Sequence, residues 1–157
     1  MNDRLRLISG EEPLVLDPTE GQETLAQAAD IFRYIDSNFE QWNCNVVEPP
    51  TKKTPVQVYE MVRDSTLQEM FGGFDVPLDR LALTQAQIKQ FAMRYPDWLK
   101  KGGNGTFFLF EAGREFFVAA LYLFADGRLG ARVRRLTLTR VFRAKKLHRL
   151  VLKSRST

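Results

Sequence analysis

Eight basic side chains close to the C-terminal end have the types and spacing to engage phosphate: Arg128, Arg132, Arg134, Arg140, Arg143, Lys145, Lys146 and Arg149. A guanidinium offers a planar fork of donors that matches phosphate oxygens, and an ammonium adds a compact point charge. Set on one surface, these groups would contact several phosphates of a nucleic acid. Such binding falls with salt, with a log-log slope of about −0.9 per phosphate neutralised on duplex DNA. Tyr122 or Phe142 would add base stacking on single strands if exposed. The charge is strongly segregated along the chain. Residues 128–157 hold 11 Lys and Arg and no acid, whereas residues 1–127 hold 12 Lys and Arg against all 19 Asp and Glu. A net +4 thus conceals a basic end and an acidic remainder. A block of this kind is a nucleic-acid footprint, a disordered basic arm, or one half of an acid-base match between layers of the same domain.

Other chemistry has less material. His148 is the single histidine and Cys44 the single thiol, so a metal site of paired His or Cys ligands cannot be assembled. Cys44 and His148 could form a nucleophilic pair only if the fold joined them, and neither lies in a nucleophile motif. Asp30, Asp36, Glu40 and Glu48 are candidates for an acid-base pair, but their positions read first as a solvated helix face and loop. The glycine-rich run Lys100 to Gly105, KKGGNG, leaves a helix C-terminus and enters a strand. A phosphate loop runs the other way, from strand into helix N-terminus, so this run reads as a turn. No catalytic residue, cofactor or metal ligand is assigned, and an enzymatic role has the least support.

The elements that must carry these groups centre on Gly105 to Gly127, GTFFLFEAGREFFVAALYLFADG, which holds six of the twelve Phe residues. The run reads as a hairpin closed at Ala112-Gly113-Arg114 and stopped at Asp126-Gly127. In its second strand Phe116, Val118, Ala120, Tyr122 and Phe124 share one face, and Phe117, Ala119, Leu121 and Leu123 share the other. Both faces are apolar, which predicts cover on both sides, by helices on one and by a second layer or another subunit on the other. From Arg128 onward Leu129, Ala131 and Val133 alternate with Arg128, Gly130, Arg132 and Arg134, giving a strand with an arginine face. Arg135 breaks the parity. Leu136 to Phe142 and Leu147 to Leu152 read as further strands joined through Arg143 to Lys146, and residues 153–157 as a frayed tail.

Upstream, Arg4 to Ile8 and Pro13 to Leu16 suggest a β-hairpin over residues 4–16. Thr24 caps a helix with Leu25, Ala28, Ala29 and Phe32 in helical register, continuing through Ile35, Phe39 and Trp42 as one helix or two. After the connection NCNVVEPPTKK, three capping signatures mark helix starts: Thr54-Pro55-Val56-Gln57, Ser65-Thr66-Leu67-Gln68 and Thr84-Gln85-Ala86-Gln87. The third helix ends at Tyr95 before Pro96. The expected architecture is therefore α+β: one domain over residues 1–152, with helices over 24–100 packed on a C-terminal antiparallel β-meander over 106–152.

The segment Leu83 to Ala119, with its LTQxQI helix start, its DWL turn and its TFFLF and EFFVA strands, resembles a family of uncharacterised small bacterial proteins, a similarity that extends from Thr24 to about Val151. The resemblance implies a bacterial, single-domain, cytosolic protein. It brings no activity and no site residue.

A single cysteine fits a reducing compartment, and the first sixteen residues hold no apolar run of signal-peptide length, so a cytoplasmic location is expected. The ten-residue run Phe116 to Ala125 falls well short of the roughly 20 residues a membrane helix needs, so no membrane partner is expected. The leading functional expectation is a non-catalytic protein-interaction or assembly module, self-associating through the second apolar face of the central strand. The alternative is an accessory nucleic-acid binder using the basic C-terminal residues.

Overall fold

Strand Thr54–Met61 (β4) follows the local signature of a helix start and is nevertheless a strand. Val56 and Val58 are β-branched, and the segment is bonded on both of its edges. On one edge it pairs antiparallel with Arg149–Lys153 (β8), and on the other with Leu5–Leu7 (β1) and Leu14–Leu16 (β2). These ladder bonds outweigh the few tenths of a kcal/mol per residue by which helix propensities differ (about 0–0.7).

The computed structural model describes residues 2–11, 14–102 and 104–154. Its centre is one mixed sheet of eight strands in the order β1, β4, β8, Thr106–Ala112 (β5), Glu115–Leu123 (β6), Leu129–Arg135 (β7) and Tyr34–Ile35 (β3), with β2 beside β4. Three short helices accompany it: Asn38–Gln41 (α1), Leu67–Gly72 (α2) and Gln85–Arg94 (α3). This overturns the expected layering of N-terminal helices on a C-terminal antiparallel meander. N-terminal segments supply strands at both ends of the sheet, and two of the pairings, β5 with β8 and β3 with β7, are parallel.

The corrections have local causes. Residues 4–16 are not a hairpin, because β1 and β2 do not pair with each other. They lie end to end along β4, bridged by Ile8 N donating to the Val58 carbonyl and by Val58 N donating to Ser9 Oγ. Residues 24–100 are not a helical region. The stretch 24–42 becomes a 3-10 turn at Leu25–Gln27, then β3, then α1, because its backbone is recruited by the free edge of β7: Arg33 N donates to the Leu129 carbonyl and Asp36 N to the Ala131 carbonyl. The expected strand from Leu136 to Phe142 is absent. The chain leaves its pairing with β6 after Arg135, where Leu138 N donates to the Arg135 carbonyl to close a turn, and it returns at Phe142 to bridge Ser65. The last strand, β8, inserts between β4 and β5 and includes Lys153, which therefore does not fray. Residues 155–157 of the expected tail, and Pro13 of the expected second run, lie outside the described residues.

The central hairpin β5–β6 forms as read, with Gly113 at φ +65° in its turn, a conformation that glycine adopts without the penalty a Cβ brings. Its strands are buried on both faces. On one face Phe108, Phe110, Ala119 and Leu121 pack with Leu16, Phe39 and, from α3, Ile88 and Phe91. On the other, Phe107, Leu109, Val118 and Ala120 pack with Met61, Leu81 and, from α2, Leu67, Met70 and Phe71. The second apolar face that motivated self-association is thus covered by the chain's own α2.

The α3 capping box stands where it was read: Gln87 N donates to Thr84 Oγ1 at 3.2 Å, and Gln87 Oε1 accepts from Thr84 N at 2.9 Å. The α2 box lies one residue later than expected, between Thr66 and Glu69.

Candidate nucleic-acid interface

Strand parity decides where the basic residues stand. Arg132 lies opposite Ala120 and Arg134 opposite Val118, so both project from the sheet face that α2 covers further along. Beyond the reach of α2 that face is open, and there Arg132 sits between two tyrosines, its guanidinium carbon 5.3 Å from the Tyr122 ring centroid and 5.8 Å from that of Tyr34. Tyr34 is 52% exposed and Phe124 43%. Two glycines make room for the rings to lie against the strands. A Cβ on Gly130 would meet Phe124 at 3.2 Å and Tyr34 at 3.6 Å, and one on Gly105 would meet Phe107 at 2.9 Å and Tyr122 at 3.5 Å.

The same surface continues past Gly105 to His148. Gly105 N donates to His148 Nδ1 at 3.0 Å, and the imidazole stacks on Phe107 with Phe142 edge-on to it. Only 8% of the His148 residue is exposed. Burial holds its pKa below the ordinary histidine value; the hydrogen bond with Gly105 opposes that shift, and the positive charges of Arg140, Lys146 and Lys100 reinforce it. The three cations thus act on the ring through space, without a direct bond to it. Arg140 is held over the Phe142 ring at 4.9 Å. Lys100 is held by the loop that reads KKGGNG, anchored where its backbone N donates to Thr106 Oγ1 at 2.8 Å. Lys101, next in that loop, borders a small cleft of about 210 Å³ with Phe124. The track thus runs Tyr34, Arg132, Tyr122, Gly105 and His148, with Arg140 next to it over Phe142.

The remaining basic candidates are placed elsewhere or neutralised. Arg128 is tied to Asp126 in the β6–β7 turn. Arg143 pairs with Asp64 at 3.1 Å, and Lys145 lies near enough to help hold the Asp64 carboxyl below its usual range, after the hydrogen bonds from Ala144 N and Arg143. Arg149 projects from the opposite sheet face, where it donates to the Trp98 carbonyl at 3.0 Å and lies 3.8 Å from Glu60. Of the eight, Arg132, Arg134, Arg140 and Lys146 share the open surface. Sequence reading missed Tyr34 and Lys100, which join it through a parallel pairing and a loop. Arg134 has its Nε buried without a hydrogen-bond partner among the described residues.

A scan against protein-family models and searches of curated proteins and of solved structures find no match to this chain.

The other chemical candidates separate in space. Cys44 packs in the core cluster on one sheet face, and His148 stands on the other with Phe107 and Phe142, so they form no pair. Burial pushes the Cys44 thiol up to about 11, far from a thiolate. Asp30 pairs with Lys89, and Asp36 accepts from Asn38 N and Val133 N. Glu48 accepts from Gln85 N at 2.8 Å at the start of α3. Burial, reinforced by the Glu111 charge and opposed by that hydrogen bond, pushes its carboxyl up to about 7.

The larger cleft, about 580 Å³, lies between residues 17–23 and α3, with Met93 and Ala86 on its wall. Of its charged lining residues, Arg94 pairs with Asp17 at 2.7 Å and Glu23 with Lys89 at 3.3 Å. Among the described residues no cluster of three or more His, Cys, Asp or Glu could hold a metal ion, and no helix is long and apolar enough to cross a membrane.

Proposed function

We propose that this protein binds single-stranded nucleic acid across the open end of the sheet face that carries Arg132, acting as an accessory binder in the cytoplasm rather than as an enzyme. The observation that supports this best is the Arg132 guanidinium lying over the rings of both Tyr34 and Tyr122, a cation and two rings on one strip where Arg132 and Tyr34 are exposed and Tyr122 is half-buried. Bases stack on tyrosine faces and on guanidinium planes whatever their sequence, and phosphates follow neighbouring cations. Arg134, Arg140, Lys146 and Lys100 supply that charge, and no carboxylate is paired with any of them among the described residues. A duplex keeps its bases stacked inside and offers nothing to the tyrosines, so single strands are preferred. The wider expectation of a protein partner has no comparable support. The exposed large apolar side chains Leu7, Val47, Met93 and Val141 are spread over separate segments, as is normal for a surface.

Fluorescence anisotropy with labelled single-stranded and duplex oligonucleotides at two salt concentrations tests the proposal. Single strands should bind more tightly, with an affinity that falls by a log-log slope of about −0.7 for each phosphate engaged. Absence of binding at low salt, or equal affinity for single strand and duplex, would overturn it.

A further inference from the structure

Tyr34, Gly130 and Tyr122 are cross-strand neighbours in one row over β3, β7 and β6, so a residue without a side chain stands between two tyrosines. With strands about 4.8 Å apart, the two tyrosine Cα atoms are separated by roughly 10 Å. No positive φ calls for glycine at position 130. Space does, because a Cβ there would meet the Phe124 ring at 3.2 Å. A glycine inside a strand weakens it, and it is found where another group approaches the backbone closely. Here that group is an aromatic ring that remains 43% exposed. Phe124 also lines the cleft of about 210 Å³, together with Leu123, Ala125, Gly127 and Lys101. Lys101 is placed there by its parallel bridge to Leu123. No carboxylate is paired with Lys101 among the described residues. The one acid of the adjoining turn, Asp126, has its two oxygens taken by Arg128 N and Nε. The cleft therefore joins an exposed ring, seated on the sheet, to an unmatched ammonium.

We infer that Phe124 and Lys101 form a pocket for one nucleotide, with its base against the Phe124 ring and its phosphate on the Lys101 ammonium. A base has two flat faces that stack on an aromatic ring, and its sugar carries an anion that an ammonium binds. The pocket offers the complement of each part. Lys101 is the single cation among the residues that line it, so a phosphate without a base would leave the ring unused and find no second cation. An uncharged apolar molecule would leave the ammonium unused. In the bound single strand this nucleotide extends the stack, making Phe124 a third ring beside Tyr34 and Tyr122. That extension rests on the single-strand reading above; the nucleotide pocket does not.

Titration with adenosine 5′-monophosphate, followed through the backbone amide resonances of the chain, tests the pocket. The amides of Lys101, Ala125, Asp126 and Gly127 should shift saturably and well beyond their response to inorganic phosphate at matched ionic strength. Phe124→Leu should lose most of that shift. Leucine keeps apolar cover over Gly130 without a ring face, and the amides outside the turn report that the variant is folded. No nucleotide-specific shift at these amides, or an equal shift in Phe124→Leu, overturns the pocket. Anisotropy with a labelled single strand then tests the extension. Phe124→Leu should weaken binding about tenfold, within the range for loss of one stacked base, and Lys101→Gln should reduce the salt slope by about 0.7. Unchanged affinity and slope in these variants, with the parent chain still binding, overturns the extension while single-strand binding survives. A nucleotide-specific shift in a chain that binds no oligonucleotide overturns the single-strand reading and leaves the nucleotide pocket standing.

Discussion

His148 Nδ1 accepts a hydrogen bond from the Gly105 amide at 3.0 Å, tying the start of β8 to the loop that opens β5. The imidazole is buried on Phe107, and nearby positive charge adds to the effect of burial, so it resists protonation in the folded chain. In the unfolded chain it takes its proton near its ordinary pKa of 6.5. As pH falls below that value the unfolded state holds more protons than the folded one, and stability falls until the folded ring also protonates. Thermal denaturation should therefore show a decline below pH 6.5 that the His148→Gln variant lacks. An unchanged slope in the variant would assign the decline to other groups.

Glu48 contributes the opposite slope. Its carboxyl is pushed up to about 7 from 4.5, so the folded chain holds the extra proton between those values and this contribution is lost as pH rises through them. A Glu48→Gln variant keeps an acceptor for the Gln85 amide without the cost of a buried charge. At pH 8 it should be more stable than the parent by about 1–2 kcal/mol, below the roughly 1.4 kcal/mol per pKa unit that sets the ceiling. At pH 4 the difference should nearly vanish. Equal unfolding midpoints at pH 8 would show that Glu48 is solvated when ionised.

The same connection is held by Gly21, whose carbonyl accepts from Glu48 N at 3.2 Å. Gly21 has φ +79°, and a Cβ there would lie 2.2 Å from the Glu48 carbonyl oxygen and 2.6 Å from that of Pro49. Backbone cannot move aside as a flexible side chain can. Gly21→Ala should destabilise by about 2–4 kcal/mol through combined strain and overpacking, as read by urea denaturation. Gly10→Ala, with a similar φ and nothing within 4 Å, isolates the dihedral cost and should lose about 1 kcal/mol.

Thr84 offers a check on the local rules. Its hydroxyl accepts from Gln87 N, and the Gln87 amide in turn donates to Thr54 Oγ1 at 2.9 Å. Thr84→Ala should cost about 1 kcal/mol, the usual loss for a helix cap. A change within 0.3 kcal/mol would mean that the packing of Ile88 and Phe91, not the cap, fixes the start of α3.

How far the fold was legible follows from how local its causes are. The hairpin β5–β6 was readable because its alternation and its turn at Gly113 lie within one stretch, and the Thr84 box because its partners are three residues apart. Thr54-Pro55-Val56-Gln57 carries the same kind of signature and fails, because what decides it is the pairing of Val56 and Gln57 with Lys153 and Leu152 at the far end of the chain. The arginine face of β7 could be read by counting in twos. Its completion by Tyr34 could not, since a two-residue parallel strand leaves no periodic trace, and the helical spacing of residues 25–42 points elsewhere. The acidic portion of the chain is only partly the internal match for the basic one. Asp64 and Glu60 take up Arg143 and Arg149, while Arg132, Arg134, Arg140 and Lys146 are left to the open face.

That division supplies the sharpest comparison. Arg132 and Arg149 are both arginines of the basic segment, and net charge cannot tell them apart. Arg132 is exposed over two tyrosines; Arg149 is on the other face, bonded to the Trp98 carbonyl and close to Glu60. If binding depended on the overall positive charge of the C-terminal segment, Arg132→Ala and Arg149→Ala would weaken a single strand equally. If it depends on the open face, Arg132→Ala should cost about 1–3 kcal/mol of binding, the range for loss of a stacked base, and reduce the salt slope by somewhat less than one. Arg149→Ala should leave binding nearly unchanged and instead lower stability by about 1–2 kcal/mol, because Trp98 loses its donor and the buried Glu60 carboxylate one of its two arginines. Anisotropy and urea denaturation on the same two variants read both quantities, and equal losses of affinity would return the basic segment to a diffuse electrostatic role.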